Sequence, residues 1–139
     1  MPRSCESGRP GKIIYLFNFF GGINYGINSM GIKIDDSEIL PFDAMPLSFI
    51  IPNTKIGLGV LINIRAHVHH EYEVGKFSEI TPVAMLLGGA NTGQRSRIGA
   101  GAVLPGVQLG DEVIVGAGAV VTKDFFEIGG VLKGIPAKI

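Results

Sequence analysis

The chain has 139 residues, enough for one domain, with twelve Lys plus Arg against twelve Asp plus Glu. That balance excludes the basic footprint of a nucleic-acid binder and a polybasic segment for an acidic membrane surface. The single cysteine, Cys5, cannot form an internal disulfide, and a reducing, cytoplasmic setting is the expectation.

Residues 1–11 carry Pro2, Gly8 and Pro10 among Arg3, Glu6 and Arg9, and read as a frayed tail. The apolar run 13–20 follows Arg9 and Lys12 in the manner of a signal-peptide core. Asn18 interrupts it, Gly21-Gly22 breaks it, and it is far too short to span a bilayer. A buried strand over residues 12–20 is predicted instead. Gly21-Gly22-Ile23-Asn24-Tyr25-Gly26 is glycine-spaced but does not fit the GxGxxG phosphate loop, so residues 21–31 read as turns. Pro41, Pro46 and Pro52 punctuate a connector that leaves room for short strands only at 39–42 and 47–51.

A six-residue beat then begins: Ile56, Ile62, Val68, Val74, Ile80, Leu86, Thr92, Ile98. All but Thr92 are Ile, Leu or Val. A second series, four residues after each, is mostly small: Val60, Ala66, Tyr72, Ser78, Ala84, Ala90, Ser96, Ala102. A large aliphatic alternating with a small residue on a period of six is the hexapeptide signature of a parallel β-helix. The aliphatic points into a narrow prism, and the small residue fits beside a tight corner. Three hexads make a coil of about 18 residues at a spacing of about 4.8 Å, so about four coils fit between residues 51 and 121. Leu104 keeps the beat, but the following members are Leu109, Val115 and Val121, and the step from Leu104 to Leu109 is one residue short. A slip within a strand would turn core residues outward. The missing residue is therefore expected at a corner, near Pro105-Gly106.

Past Asp124 the beat stops, and Phe125, Phe126, Gly129-Gly130 and residues 134–138 read as a terminal cap. The expected division is an N-terminal remnant and connector over 1–50, with some α/β character, and an all-β helix over 51–139. A prism exposes strand edges and flat faces, and the mean hydropathy is positive. Burial by association follows, and a homotrimer suits a three-sided prism, with ligand sites in the clefts between neighbours.

Chemistry concentrates in Ala66-His67-Val68-His69-His70-Glu71-Tyr72-Glu73-Val74-Gly75, which holds all three histidines of the chain. Val68 and Val74 point inward. Strict alternation would turn His70 inward as well, so a corner is placed there that lets it face out. Three readings compete beside a plain solvated corner. His70 followed by Glu71 supplies an imidazole general base and a carboxylate to orient it. A zinc site needs three converging ligands, whereas His67 and His69 share one side and His70 is directed elsewhere. A serine nucleophile is disfavoured, since nothing like GxSxG is present.

The stretch from His69 to Ser78, with its His70-Glu71 pair and Val74-Gly75, resembles the E/V-H-[D/E]-C-x-I-G-[D/E]-F-x-H segment of bacterial sugar acetyltransferases. These are the sialic acid O-acetyltransferases and the nucleotide-linked 4-amino-sugar N-acetyltransferases. Ile98-Gly99-Ala100-Gly101-Ala102-Val103, residues 115–121 and Gly134-Ile135-Pro136-Ala137-Lys138 are similar to the C-terminal half of that family. The resemblance covers residues 50–138 and implies a left-handed β-helix. It places the family's base on His70 and the acidic residue that supports it on Glu71. It places a thioester-holding glycine N–H on Gly88. With acetyl-CoA lying between two subunits, Ala100 and Ala117 or Gly118 would line the pantetheine channel, and Lys123 or Lys133 would meet the phosphates. Glu79 stands where the family often has a second histidine, and the full N-terminal sugar-binding unit is reduced here.

The expectation is an acetyltransferase acting on an amino or hydroxyl group of a sugar or nucleotide-linked sugar, with no metal and no nucleic-acid or membrane partner. A noncatalytic β-helix that assembles or binds a sugar is the alternative. A β-helical zinc enzyme of the carbonic anhydrase type is third.

Overall fold

The computed structural model describes residues 14–16, 33–34, 42–45, 47–51 and 54–139. The expected tail over 1–11, the turns over 21–31 and most of the expected N-terminal remnant lie outside these residues. The elements, in chain order, are β1 (Ile14–Leu16), β2 (Lys33–Ile34), β3 (Asp43–Ala44), β4 (Ser48–Ile50), β5 (Lys55–Ile56), β6 (Leu61–Ile62), β7 (His67–Val68) and β8 (Glu73–Val74). They continue as β9 (Glu79–Ile80), β10 (Met85–Leu87), β11 (Asn91–Thr92), β12 (Arg97–Ile98), β13 (Val103–Pro105), β14 (Val113–Val115) and β15 (Gly130–Leu132). Residues 39–41 of the strand expected over 39–42 lie outside the described residues; Phe42 is buried, and Asp43–Ala44 form β3.

The strands sort into three sheets, which are the three walls of a prism. The first wall has the order β1-β4-β7-β10-β13, the second β11-β8-β5-β2, and the third β15-β14-β12-β9-β6-β3. All pairings between coils are parallel; β1, which runs antiparallel to β4, is the exception among the described strands. The architecture is a left-handed parallel β-helix. Strands β2, β3 and β4 precede residue 51 and already join these walls.

Met85 pairs with His67 and Val103 pairs with Met85, so a coil takes 18 residues. Below the slip the coil is 17: Arg97 pairs with Ile114, and Asn91 bridges to Gln108. Three residues separate Leu87 from Asn91, but only two separate their partners Pro105 and Gln108. The shortening is therefore absorbed at the Gly106-Val107 corner, as the hexad pattern predicted. Leu104 and Leu109 both stay buried across it.

Both series of the beat point inward, and every member from Ile56 to Ala102 is buried. The two exceptions in the pattern meet. Tyr72 is the large residue in the small series, and Thr92 is the polar residue in the aliphatic one. Their hydroxyls are hydrogen-bonded at 2.8 Å inside the prism. Burial, only partly offset by that bond, pushes the Tyr72 phenol well above its usual range. The corners repeat a left-handed residue. On the edge between the third and first walls the series is Leu47, Arg65, Val83, Gly101, Gly118, and its first three members have φ between 55° and 64°. Glycine fits such a position without strain, whereas a side chain costs about 1–2 kcal/mol. At Gly75 a Cβ would lie 2.5 Å from the backbone of the next coil, so only hydrogen allows the walls to stack there.

Outward residues differ from wall to wall. The second wall carries Lys55, Glu73, Asn91 and Gln108, with Lys55 and Glu73 3.8 Å apart. The third carries the charged Asp43, Glu79 and Arg97, with Glu79 and Arg97 3.5 Å apart, alongside the apolar Leu61, Ile114 and Val131. The first is mainly apolar: Phe49, His67, Met85, Leu87 and Val103, all half-buried. The segment read as a cap after Asp124 instead continues the third wall through β15, where Leu132 is buried in register with Val115, and Phe125 and Ala137 pack against the core. Phe126, Ile128, Ile135 and Ile139 remain exposed there.

Candidate active site

His70 lies on the edge between the first and second walls, at the turn that joins β7 to β8, and is exposed. The turn forms because Glu71 takes φ = 56° and reverses the strand's alternation. This is the corner predicted to free His70 from an inward position. Neighbouring coils hold it on both sides. The His69 N–H donates to Leu86 O at 2.8 Å, and the Gly89 N–H donates to His70 O at 3.1 Å. From the other side, Thr54 Oγ1 donates to His69 O at 3.2 Å, and the Lys55 N–H donates to Tyr72 O at 2.9 Å. The buried Tyr72 ring anchors the inner side of the same turn.

Gly88 stands one coil below His70, and the imidazole lies directly over it. A Cβ at Gly88 would be 2.5 Å from His70 Cε1, 2.7 Å from Nε2 and 2.9 Å from Nδ1. Gly88 is therefore required by the histidine, not by its own backbone. Among the described residues its N–H donates to no protein acceptor. A base and a free backbone donor thus sit side by side on one partly open edge. A site for proton removal from a nucleophile and for holding a carbonyl oxygen needs both.

Glu71 is exposed next to His70, but among the described residues no hydrogen bond or ion pair joins it to the imidazole. His67 and His69 share the outer face of the first wall, with ring centroids 6.1 Å apart, and His67 lies 4.6 Å from Phe49. Burial, with the neighbouring His67 and His70, lowers the pKa of His69 below its usual value of 6.5. Among the described residues no group of three or more His, Cys, Asp or Glu side chains converges as metal ligands. No helix there is long and apolar enough to cross a membrane.

The remaining expected residues divide between two edges. Lys123 is exposed on the same edge as His70 and Gly88, between the bridges of Val120 to Val103 and of Phe125 to Leu109. Ala100, Ala117 and Gly118 stack on the other edge of the first wall, where the Gly118 N–H donates to Ala100 O at 2.8 Å. One chain therefore sets His70 on Gly88, places Lys123 farther along the same edge, and keeps the alanine edge apart from them. A depression of about 190 Å³ opens on the second wall, lined by Lys55, Gly57, Glu73, Asn91, Gln94 and Asp111 among others. It includes none of the expected residues. Sequence reasoning missed the Tyr72–Thr92 anchor, although each residue was visible as a break in its own series.

Residues 92–123 match the family model described as the hexapeptide repeat of succinyl-transferase. The chain is similar to PerB from Caulobacter crescentus, solved with CoA and GDP-perosamine. The two are 32% identical over 77% of this chain and 53% of that one, with a TM-score of 0.66. The acetyltransferase domain of PglB from Neisseria gonorrhoeae is 30% identical over the same 77% and 53%, with a TM-score of 0.62. The serine acetyltransferase CysE of Neisseria gonorrhoeae, solved with serine, is 25% identical over 65% of this chain and 41% of that one, with a TM-score of 0.58. The chain spans about half the length of the first two. The repeat, the handedness of the coil and these likenesses agree: the chain belongs to the hexapeptide-repeat, left-handed β-helix family that includes the sugar acetyltransferases.

Proposed function

We propose that this chain transfers the acetyl group of acetyl-CoA to an amino or hydroxyl group of a sugar or nucleotide-linked sugar. The observation that carries this reading is the His70 imidazole resting on Gly88, beside a backbone N–H with no acceptor among the described residues. The likeness to PerB, solved with CoA and GDP-perosamine, and to the PglB domain, also solved with acetyl coenzyme A, supports the substrate class.

The acceptor's nitrogen or oxygen attacks the thioester carbonyl, and His70 takes the proton it loses. The Gly88 N–H donates to the oxygen as it becomes negative, a contribution typically worth about 10²–10³ in rate. The tetrahedral carbon then collapses, the C–S bond breaks, and the thiolate of CoA leaves and is protonated. No covalent enzyme intermediate is needed.

A homotrimer would complete the site. Among the described residues the strands of the first wall present no charged side chain outward, unlike those of the other two, and both functional edges border it. In a threefold ring built on that wall, the edge of His70, Gly88 and Lys123 on one subunit meets the edge of Ala100, Ala117 and Gly118 on the next. The cleft then runs from His70 past Gly88 and Gly106 to Lys123, three coil spacings or about 14 Å. Small residues line it from both sides, as an extended pantetheine arm requires, and Lys123 stands at the phosphate end. Residues 51–139 carry the catalytic unit in this reading, and β2, β3 and β4 before residue 51 extend its walls.

The test is His70→Ala in an assay of acetyl transfer to nucleotide-linked amino sugars. Turnover should fall by roughly 10²–10⁴ while acetyl-CoA still raises the melting temperature. Wild-type turnover in His70→Ala would remove the base, and absence of any acetyl-CoA effect on melting would remove the transferase.

A further inference from the structure

Arg65 and Glu71 bound the same strand, β7, from opposite sides. Both are exposed, and both occupy the left-handed position of their corner, with φ of 55° and 56°. Arg65 is on the edge between the third and first walls, and Glu71 is on the edge between the first and second. Among the described residues neither forms an ion pair. Elsewhere on the prism opposite charges pair up between coils: Lys55 with Glu73, Arg97 with Glu79, and Arg95 with Glu112 at 2.9 Å. Among the described residues Arg65 and Glu71 have no such neighbour above or below. The wall between them separates them within one chain.

We infer that Arg65 of one subunit completes the site of the next by pairing with its Glu71. The inference rests on the trimeric transferase proposed above and adds a residue to it. Six residues are a third of a coil, so Glu71 stands only about 1.6 Å above or below Arg65 along the prism axis. A threefold rotation about an axis parallel to the prism leaves height unchanged. The Glu71 edge of one subunit then meets the Arg65 edge of its neighbour at the same level. The next levels down set Gly88 and Gly89 opposite Val83, and Gly106 opposite Gly101, with no charge to compete. The pairing falls at the level of His70. Within one chain Glu71 makes no hydrogen bond to the imidazole, and a guanidinium from the neighbour would fix the carboxylate with two donors. Arg65 is thus a positioning residue that acts through Glu71.

The experiment mixes two variants. His70→Ala keeps Arg65 but lacks the base; Arg65→Glu keeps His70 but repels the neighbour's Glu71. Each alone should be nearly inactive, and Arg65→Lys should retain part of the activity. When the two are dissociated, mixed in equal amounts and reassembled, random assembly puts an intact His70 against an intact Arg65 at about a quarter of the interfaces. Acetyl transfer should return to about that fraction of wild type. Arg65→Gln, which removes the charge without repulsion, should complement in the same way if Arg65→Glu fails to assemble. A mixture as inactive as its components, with trimers confirmed by light scattering, overturns the pairing and leaves the transferase standing. Full activity of Arg65→Glu alone overturns it too. Wild-type turnover of His70→Ala would instead bring down the transferase reading, and the pairing with it.

Discussion

Gly88→Ala isolates the contact on which the site is built. The substitution keeps the backbone N–H, and the φ of Gly88 is not among the positive ones, so an alanine strains nothing locally. Its Cβ would lie 2.5 Å from His70 Cε1, whereas ordinary van der Waals contact begins at about 3.4 Å. The imidazole must therefore move by about 0.9 Å, or swing off the edge altogether. A misplacement of about 1 Å in a reacting group is worth about 10² in rate. We expect kcat/KM for acetyl transfer to fall by about that factor, while thermal melting shifts little, because His70 is exposed and free to yield. Gly89→Ala is the counterpart. A Cβ there meets nothing within 4 Å, but φ is +76°. It should lose about 1–2 kcal/mol of stability and keep most of its activity. Steady-state kinetics and melting curves on both variants read the two effects separately. If Gly88→Ala turned over at the wild-type rate, the imidazole over Gly88 would not be the working position of the base, and the mechanism would fail.

Three other outcomes follow from the geometry. His69 binds its proton less readily when folded, so the unfolded chain takes up more protons as pH falls through 6.5. Stability should decline below that pH until the lowered folded pKa is passed, and His69→Gln should flatten the slope of melting temperature against pH just below 6.5. Tyr72→Phe leaves the Thr92 hydroxyl buried without its partner and should cost about 1–3 kcal/mol in urea unfolding. Adding Thr92→Val should recover much of that loss, and two purely additive losses would show that the buried bond contributes nothing. Lys123→Ala should raise the KM for acetyl-CoA several-fold with little change in kcat, since an exposed cation meeting phosphates binds the ground and transition states alike. An unchanged KM would place the phosphates elsewhere.

The spacing of apolar residues determined most of the fold. A period of six with large and small residues alternating states which side chains face inward, and that depends only on local geometry. The prism, the buried series from Ile56 to Ala102 and the outward turn at His70 follow from it. So does the place of the lost residue, because only a corner can absorb a deletion without turning Leu109 outward. The tertiary structure decided what lies beside what. Tyr72 and Thr92 each looked like an isolated exception until the coils stacked and their hydroxyls met. That His70 rests on Gly88 depends on a side-chain orientation that no repeat encodes. That Ala100, Ala117 and Gly118 occupy a different edge from His70 already follows from three hexads to a coil. Which side chains touch along an edge is settled only when the coils stack, because the beat fixes positions and not rotamers.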